Sequence, residues 1–556
     1  MLLRTKENTF IARLPGEKES IFLKGTPLFE ILEHERPQNQ DKIVLAKVNY
    51  RVTSLRQKIE TDCRIDWVFK ESQEGFRSYQ QTLSLVMLGE IKTLFPKAKV
   101  YIDHSLENGF YCVFKGESLL NARMVKKIKV QMEECIHRNE TIESKVVTIK
   151  EGLALLEKQG EKPTWHLGHK DLTHITLYQL GEAIEYMAYP PFPSTGYLSA
   201  FDLVYWPPGM ILRFPDFPNF ENVPPMMMQK KLFQVFQEYG RWEQILGIQK
   251  VSDLNQAVVS KEIYDLIKIA EGLHEKKITS IADTILKRKK NLRLVLIAGP
   301  SSSGKTTFAK RLNIQLKVNE MQPLAISLDD FFLNRSETPK DKDGNYDFES
   351  LKAIDIAKFN RDLKSLLNGD TANLPRYDFI AGKRMTGPSV QLKPDQAIIV
   401  EGLHCLNEQL TPDIPRQNKL KIYISDLTQL NITDHWRIST SDVRLLRRMI
   451  RGYRFRGQSA SFTLENWPLV RQGEEKHIFP FQEDADIIFN SSLMYELSVL
   501  RVFARYLLQM ITQENPAFSE AQRLLHLIFH FLPISPKEVP TNSILREFIG
   551  GSSFQY

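Results

Sequence analysis

At 556 residues the chain is longer than one hydrophobic core supports, so roughly two to four domains are expected. Its 42% apolar and 25% charged content exclude a fibrous or disordered polymer, and 74 basic against 67 acidic residues leave +7. That charge tolerates an anionic ligand such as ATP or RNA and requires neither. Cys63, Cys112, Cys135 and Cys405 are scattered without a CxxC, which argues against a disulfide framework or a cysteine zinc cage and for reduced, buried thiols.

The first residues lack an apolar signal core. The longest apolar stretch, 524–534, is interrupted by His526 and His530 and is too short for a bilayer. A cytoplasmic protein without membrane contact is expected. In chain order, 9–14 and 20–23 read as strands around Pro15-Gly16. A short helix follows at 27–34, then a hairpin-like pair at 43–55 and a strand at 64–68. This is the order of a small ubiquitin-like β-grasp module over residues 1–70. It holds no carboxylate pair, cysteine cluster or glycine-rich loop.

Residues 71–235 form a second, α+β region. A helix is predicted at 78–95 and strands at 99–103 and 109–114, followed by proline clusters at 189–193, 206–209 and 215–225. Large aromatics among those prolines point to rigid loops, not a disordered linker. A polar helical pattern starts near 226 and ends in the basic run 287–290, with 236–290 assigned to a helical linker.

Chemistry enters at residue 291. The apolar run 292–298 suits a buried parallel strand. It leads directly into Gly299, Pro300, Ser301, Ser302, Ser303, Gly304, Lys305, Thr306 and Thr307, and then a helix at 308–317. GxxxxGK[ST] between strand and helix is the phosphate-binding P-loop: glycines let the backbone wrap the phosphates, and amides at the helix N-terminus point at the anion. Lys305 is expected at the β- and γ-phosphates and Thr306 on Mg²⁺.

The strand at 324–328 ends in Asp329-Asp330, where a carboxylate faces the ligand crevice and can take a proton from an attacking hydroxyl. Capping of the following segment is the competing reading, weightier for Asp330. The strand at 397–400 ends in Glu401, suited to Mg²⁺ through water. No Asn-Lys-x-Asp motif supports guanine reading. Arg444, Arg447, Arg448 and Arg451 fall at i, i+3, i+4 and i+7, a stripe that repels itself unless a polyanion lies against it. With the loop at 453–457, through Arg456, it reads as a lid over ATP. A solvated basic face or an RNA patch is the alternative.

These motifs, with Tyr346-Asp347-Phe348, the segment 375–379 and 485–488, resemble the uridine kinase and phosphoribulokinase family over residues 291–495, nearer to uridine-cytidine kinase. The resemblance implies an α/β P-loop kinase with a parallel sheet, using ATP and Mg²⁺. It makes Asp329 the base for a nucleoside 5′-hydroxyl and a Mg²⁺ contact beside Thr306 and Glu401. Asp347 would hold ribose hydroxyls, Tyr377 and Phe379 would flank the base, and Arg384 would lie near nucleoside or phosphates. Lys305, Arg448, Arg451 and Arg456 would act on the transferring phosphoryl group. Gly382 stands where that family has a base-reading histidine, Gly452 follows Arg451 where many members have Asp, and Gln458 replaces a lid arginine.

The front half resembles the N-terminal part of threonyl-tRNA synthetase. Residues 1–70 are similar to its TGS module through 24–28 and 46–49, and 71–235 to its editing domain through 94–96 and 108–111. The editing HxxxH pair falls on Gln81 and Leu85, and the later Cys and His on Ala188 and Phe192, so no deacylation is expected. His166, His169 and His174 match no common zinc spacing.

The expectation is therefore a multidomain protein: a β-grasp module, a degenerate α+β editing-like domain, a linker, a nucleoside kinase domain at 291–495 and a helical extension at 496–556. RNA or a nucleotide would contact the front half, and homo-oligomerisation is compatible with the sequence. The alternatives are a kinase of another hydroxylated metabolite, a sugar phosphate or vitamin precursor, and an ATP-switched RNA-binding regulator of translation.

Overall fold

The computed structural model describes residues 8–161, 163–168, 172–340, 344, 346–378, 381–393 and 396–555. Strands Thr9–Leu14, Lys18–Leu23, Ile43–Val48, Arg51–Ser54 and Cys63–Phe69 form one sheet across which helix Leu28–Glu35 packs. The first and last of these pair in parallel at its centre, Ala12 opposite Cys63, which is the β-grasp arrangement. Phe10, Leu28, Ile31 and Ile65 fill its small core.

Helix Gln73–Leu94 begins five residues before its predicted start because Ser72 caps it, its side chain accepting the amide of Gly75. It buries one flank against a four-stranded antiparallel sheet in the order 202–206, 209–213, 109–115, 99–106. The polar stretch that follows is three helices, Lys230–Leu246, Val251–Ser260 and Ile263–Lys287.

The C-terminal half is built on five parallel strands: β1 (Leu294–Ala298), β2 (Leu324–Ser327), β3 (Ile398–Glu401), β4 (Lys419–Ser425) and β5 (Ile487–Asn490). Their order is β2-β3-β1-β4-β5, so β1 is central and buried throughout. One face is covered by α1 (Lys305–Val318) and by helix Ile263–Lys287, whose Ile278 and Ala282 are fully buried there. Also in that core are α2 (Thr440–Phe455), α3 (Ala460–His477), α4 (Glu496–Gln509), α5 (Phe518–Phe529) and the single turn α6 (Arg546–Ile549). The region expected as a helical extension is thus structural: Leu500, Leu524, Leu545 and Phe548 are buried with β1 and β4. The opposite face is closed by helix Ile356–Leu367 and the hairpin Thr371–Asp378/Lys383–Gln391.

The two halves are in direct contact. A loop between β4 and α2 lays Asn431 and Asp434 on the edge strand Lys99–Leu106, exchanging hydrogen bonds with Ile102. His435 donates through Nδ1 to Glu185 at 2.8 Å and through Nε2 to the carbonyl of Val100 at 3.0 Å. On the other side Arg77 pairs with Glu520 of α5 at 2.9 Å, and Arg523 of α5 pairs with Asp442 of α2. Among the described residues no helix is long and apolar enough to cross a membrane.

Candidate functional site

The phosphate loop follows the central strand. A Cβ on Gly299 would lie 2.0 Å from the carbonyl oxygen of Ile424, so the loop can leave β1 beside β4 only without a side chain. Gly304 turns into α1 at φ +87°, a left-handed conformation open to glycine. The hydroxyls of Ser302 and Ser303 are buried without a hydrogen-bond partner among the described residues. Nζ of Lys305 donates to the carbonyls of Gly299 at 2.9 Å and Pro300 at 3.1 Å, which keeps the ammonium over the loop. Pro300, Thr306 and Thr307 complete the curve, Thr306 at its rim and Thr307 buried inside the first turn of α1. Orphaned hydroxyls, a cation and first-turn amides are the equipment of a phosphate cradle.

The loop is held from behind by Glu474 of α3. Oε1 accepts the amide of Ser301 at 2.9 Å, and both oxygens take the guanidinium of Arg444, at 2.5 and 2.8 Å. Burial opposes the charge, but Arg444 and Arg471 keep this carboxyl below its ordinary range.

Asp329 stands in the turn Leu328–Phe331, immediately after β2. Burial pushes its carboxyl up, against the pull of Lys305, Arg456 and Arg451. On the neighbouring strand Glu401 accepts a hydrogen bond from Ser327 at 3.0 Å. Burial and then the facing Asp329 push it up to about 7. Asp329 thus hinders the ionisation of Glu401, and two carboxylates with the Thr306 hydroxyl at the rim of the loop are the kind of oxygen donors that Mg²⁺ takes. Asp330 instead accepts the amide of Tyr377 at 3.1 Å, which ties β2's end to the hairpin rather than capping the segment that follows it.

The arginine stripe divides, which corrects its reading as one phosphate-facing row. Arg444 and Arg447 are fully buried. Arg444 is neutralised by Glu474, and Arg447 by Glu496 at 2.6 Å and Asp426 at 3.5 Å, so their positive charge is compensated inside the protein. The polyanion that makes the stripe tolerable is a set of buried acids. Arg448, Arg451 and Arg456 do reach the site. Arg448 donates to the Ser301 hydroxyl at 2.5 Å. Arg456, at the exposed end of α2, is lowered to about 10, first by Arg451, then by burial and Arg448, so the three guanidinium groups feel one another's charge.

On the acceptor side Asp347 is half-buried beside His477. Tyr377 packs against Phe332 with ring centres 5.7 Å apart. Phe379 lies outside the described residues, as does His169. Arg384 donates to Asp355 at 2.7 Å, which ties the hairpin to helix Ile356–Leu367. Gly382 is overlain by the guanidinium of Arg335: a Cβ there would meet its Nε at 2.8 Å.

A residue that sequence reading missed is Glu349. Burial and then Glu474 push its carboxyl up to about 7, opposed by Arg448 and Lys305, with Asp329 also in range. Its Oε2 is buried with no partner among the described residues. The side chain lies against Gly473, where a Cβ would be 2.5 Å from its own. The signal lay two residues beyond Asp347 in the same segment. His404 is lowered to about 4 by burial and then His477, whose ring lies 6.0 Å away.

In the front half, Leu85 and Phe192 are fully buried, and Phe192 donates its amide to Thr82 at 2.9 Å and packs on Tyr79. Gln81 and Ala188 are partly buried beside them. Apolar core therefore occupies two of the four places aligned with the editing residues, those of Leu85 and Phe192. Nδ1 of His166 hydrogen-bonds the Pro163 carbonyl, and His174 is exposed at a strand end. Glu161, Glu185 and His435 stand close enough to share a cation. Both nitrogens of His435 are already engaged, however, and Glu185 and Glu161 outweigh burial to raise it to about 9: the group is an ion pair.

Residues 294–497 match the Phosphoribulokinase / Uridine kinase family. The front half is similar to threonine–tRNA ligases. That of Ehrlichia ruminantium is 28% identical over 192 residues, 33% of this chain and 30% of the relative. That of Carboxydothermus hydrogenoformans is 28% identical over 202 residues, 35% and 32%. The chain spans about a third of the length of these curated relatives. Among solved structures, a possible uridine kinase from Bacillus stearothermophilus is 22% identical, covering 39% of this chain and 98% of its own, with a TM-score of 0.25. Phosphoribulokinase from Rhodobacter spheroides is 15% identical, covering 36% and 70%, with a TM-score of 0.24.

Proposed function

We propose that residues 294–497 transfer the γ-phosphoryl group of ATP to the 5′-hydroxyl of a nucleoside. The observation that carries this reading is the position of Asp329, at the end of the edge strand β2, one strand removed from the P-loop strand β1, where Lys305, Arg456 and Arg451 favour its charged form. ATP with Mg²⁺, when bound, supplies the phosphoryl group and the cation charge, with Thr306, Asp329 and Glu401 as the oxygen donors that would hold the metal. The acceptor hydroxyl loses its proton to a carboxylate oxygen of Asp329 as its oxygen bonds to the γ-phosphorus, and the bond from that phosphorus to the ADP oxygen breaks. Lys305, Arg448, Arg451 and Arg456 stabilise charge on the transferring group from fixed positions. Glu349 and Asp347 line the acceptor side and accept hydrogen bonds from its remaining hydroxyls. The front half, by its likeness to synthetase modules, serves contact with RNA or a nucleotide in the cytoplasm.

One observation favours a second acceptor class. Arg335 covers Gly382, the place of the family's base-reading histidine, and a guanidinium there suits a carboxylate or phosphate on a hydroxylated metabolite. Incubation of the full chain with ATP, Mg²⁺ and a panel of nucleosides, sugar phosphates and hydroxy acids decides between them. A nucleoside monophosphate is the expected product. None from any nucleoside would sink the nucleoside assignment, and product from an anionic acceptor alone would establish the second reading.

A further inference from the structure

The last residues of the chain lie on the phosphate loop. Glu547, in α6, is buried, and its Oε2 accepts both the amide of Thr307 at 3.2 Å and its hydroxyl at 2.7 Å. Its Oε1 accepts from Arg451 at 2.7 Å. A carboxylate thus sits on a first-turn amide and hydroxyl of α1 and on an arginine of the lid, the donors that an anionic phosphate requires. Around it, Ile544 lies over Gly304, with Cγ2 2.5 Å from where a Cβ would stand. The Phe548 ring lies 5.1 Å from the guanidinium of Arg447 and 5.7 Å from that of Arg451. Lys310 of α1 donates to the carbonyl of Gln555. Arg546 closes the segment on itself through the carbonyls of Pro536 and Gly550, and Ser553 donates its amide to Thr541. The segment is a folded turn with its acid directed at the loop.

We propose that Glu547 is an intramolecular competitor for the nucleotide seat, its carboxylate standing in for a phosphate group, and that nucleotide binding requires this side chain to leave Thr307 and Arg451 while Leu545 and Phe548 stay in the core. The inference rests on the reading of the P-loop as a nucleotide site. The physical reason is exclusion. The amide and hydroxyl of Thr307 cannot serve a carboxylate and a phosphate together, and two anions at that distance repel. Arg451 is likewise unavailable to the transferring group while it is paired with Glu547. Because the competitor is tethered, it acts at a high effective concentration, and the apparent nucleotide affinity is reduced by the fraction of chains in which the seat is open.

The test measures binding of ADP and of a non-hydrolysable ATP analogue, each with Mg²⁺, to the full chain and to Glu547→Ala and Glu547→Gln. Glu547→Ala is expected to bind about 10- to 100-fold more tightly, with Glu547→Gln between it and wild type. Because substitution can disturb Thr307 or Arg451, hydrogen exchange of the unaltered chain is followed as well. Saturating nucleotide should speed exchange at the amides of 546–550, the turn that carries Glu547. Unchanged protection of that segment on binding, or equal or weaker affinity in Glu547→Ala, overturns the proposal while leaving the nucleotide site intact. No binding to any of the three proteins refutes the P-loop reading itself, and this inference with it.

Discussion

Glu474→Gln tests whether the phosphate loop is held in shape by a buried ion pair. The carboxylate takes four hydrogen bonds: from Ser301 at 2.9 Å, from Arg444 at 2.5 and 2.8 Å and from Arg471 at 3.2 Å. Its side chain is 0% exposed and that of Arg444 1%. An amide keeps one oxygen as an acceptor and presents hydrogens to two guanidinium groups at the other. It leaves the Arg444 charge uncompensated in the interior, and stranding one partner of such a pair costs about 3–5 kcal/mol. Ser301 then competes with Arg444 for the remaining acceptor, and a buried amide that loses its bond costs about 1–3 kcal/mol, a roughly 10- to 100-fold loss of protection. A chain of several domains does not melt in one step, so the readout is hydrogen exchange over 299–304 and 440–455, with ADP affinity measured alongside. In Arg444→Met/Glu474→Leu no charge is stranded, so α2 and α3 should regain most of their protection, while the Ser301 amide stays orphaned and ADP binding stays weak. Loss of under 1 kcal/mol in the single variant, or full ADP affinity in the double one, would refute the reasoning.

Three further outcomes are expected. Asp329→Asn should lower kcat about 10²- to 10⁴-fold with nucleotide affinity within a few-fold of wild type, measured by product formation and by calorimetry. Turnover at saturating acceptor should fall as pH drops through about 7, because Glu401 and Glu349, both raised to about 7 by burial, must be ionised. Raising Mg²⁺ should move that limb to lower pH, since the cation competes with the proton on Glu401; a limb indifferent to Mg²⁺ contradicts the assigned donor set. Gly473→Ala puts a methyl 2.5 Å from Cβ of Glu349 and must shift the acceptor segment, so the acceptor KM should rise about tenfold while ADP binding holds, an order-of-magnitude figure for a ~1.4 kcal/mol displacement.

The P-loop was legible because its chemistry is local: a glycine at each bend, a lysine and two threonines between an apolar run and a helical pattern meet their ligand through backbone that the same residues shape. The strand-end acids were legible for a related reason, since a parallel strand delivers whatever follows it to one edge of the sheet. The lid stripe was half legible. Spacing placed four arginines on one helix face, but whether each meets a ligand or a buried acid depends on Glu474, Glu496 and Asp426, which helical periodicity does not link to them. Glu349 was hidden beside the more conspicuous Asp347, because only its burial against Gly473 sets it apart.

What residue order alone determined is the set of local devices: the phosphate loop, the alternation of strand and helix, the acid at the second strand's end and the loss of histidine and cysteine from the positions aligned with the editing residues. Tertiary structure alone decided which charges cancel and which stay available, because that depends on meetings between residues far apart in the chain. Glu547 reaches Thr307 across 240 positions, and Arg77 reaches Glu520 across 443. Such pairs form when the whole core closes and carry no local pattern, so the final turn's grip on the nucleotide seat belongs to the fold.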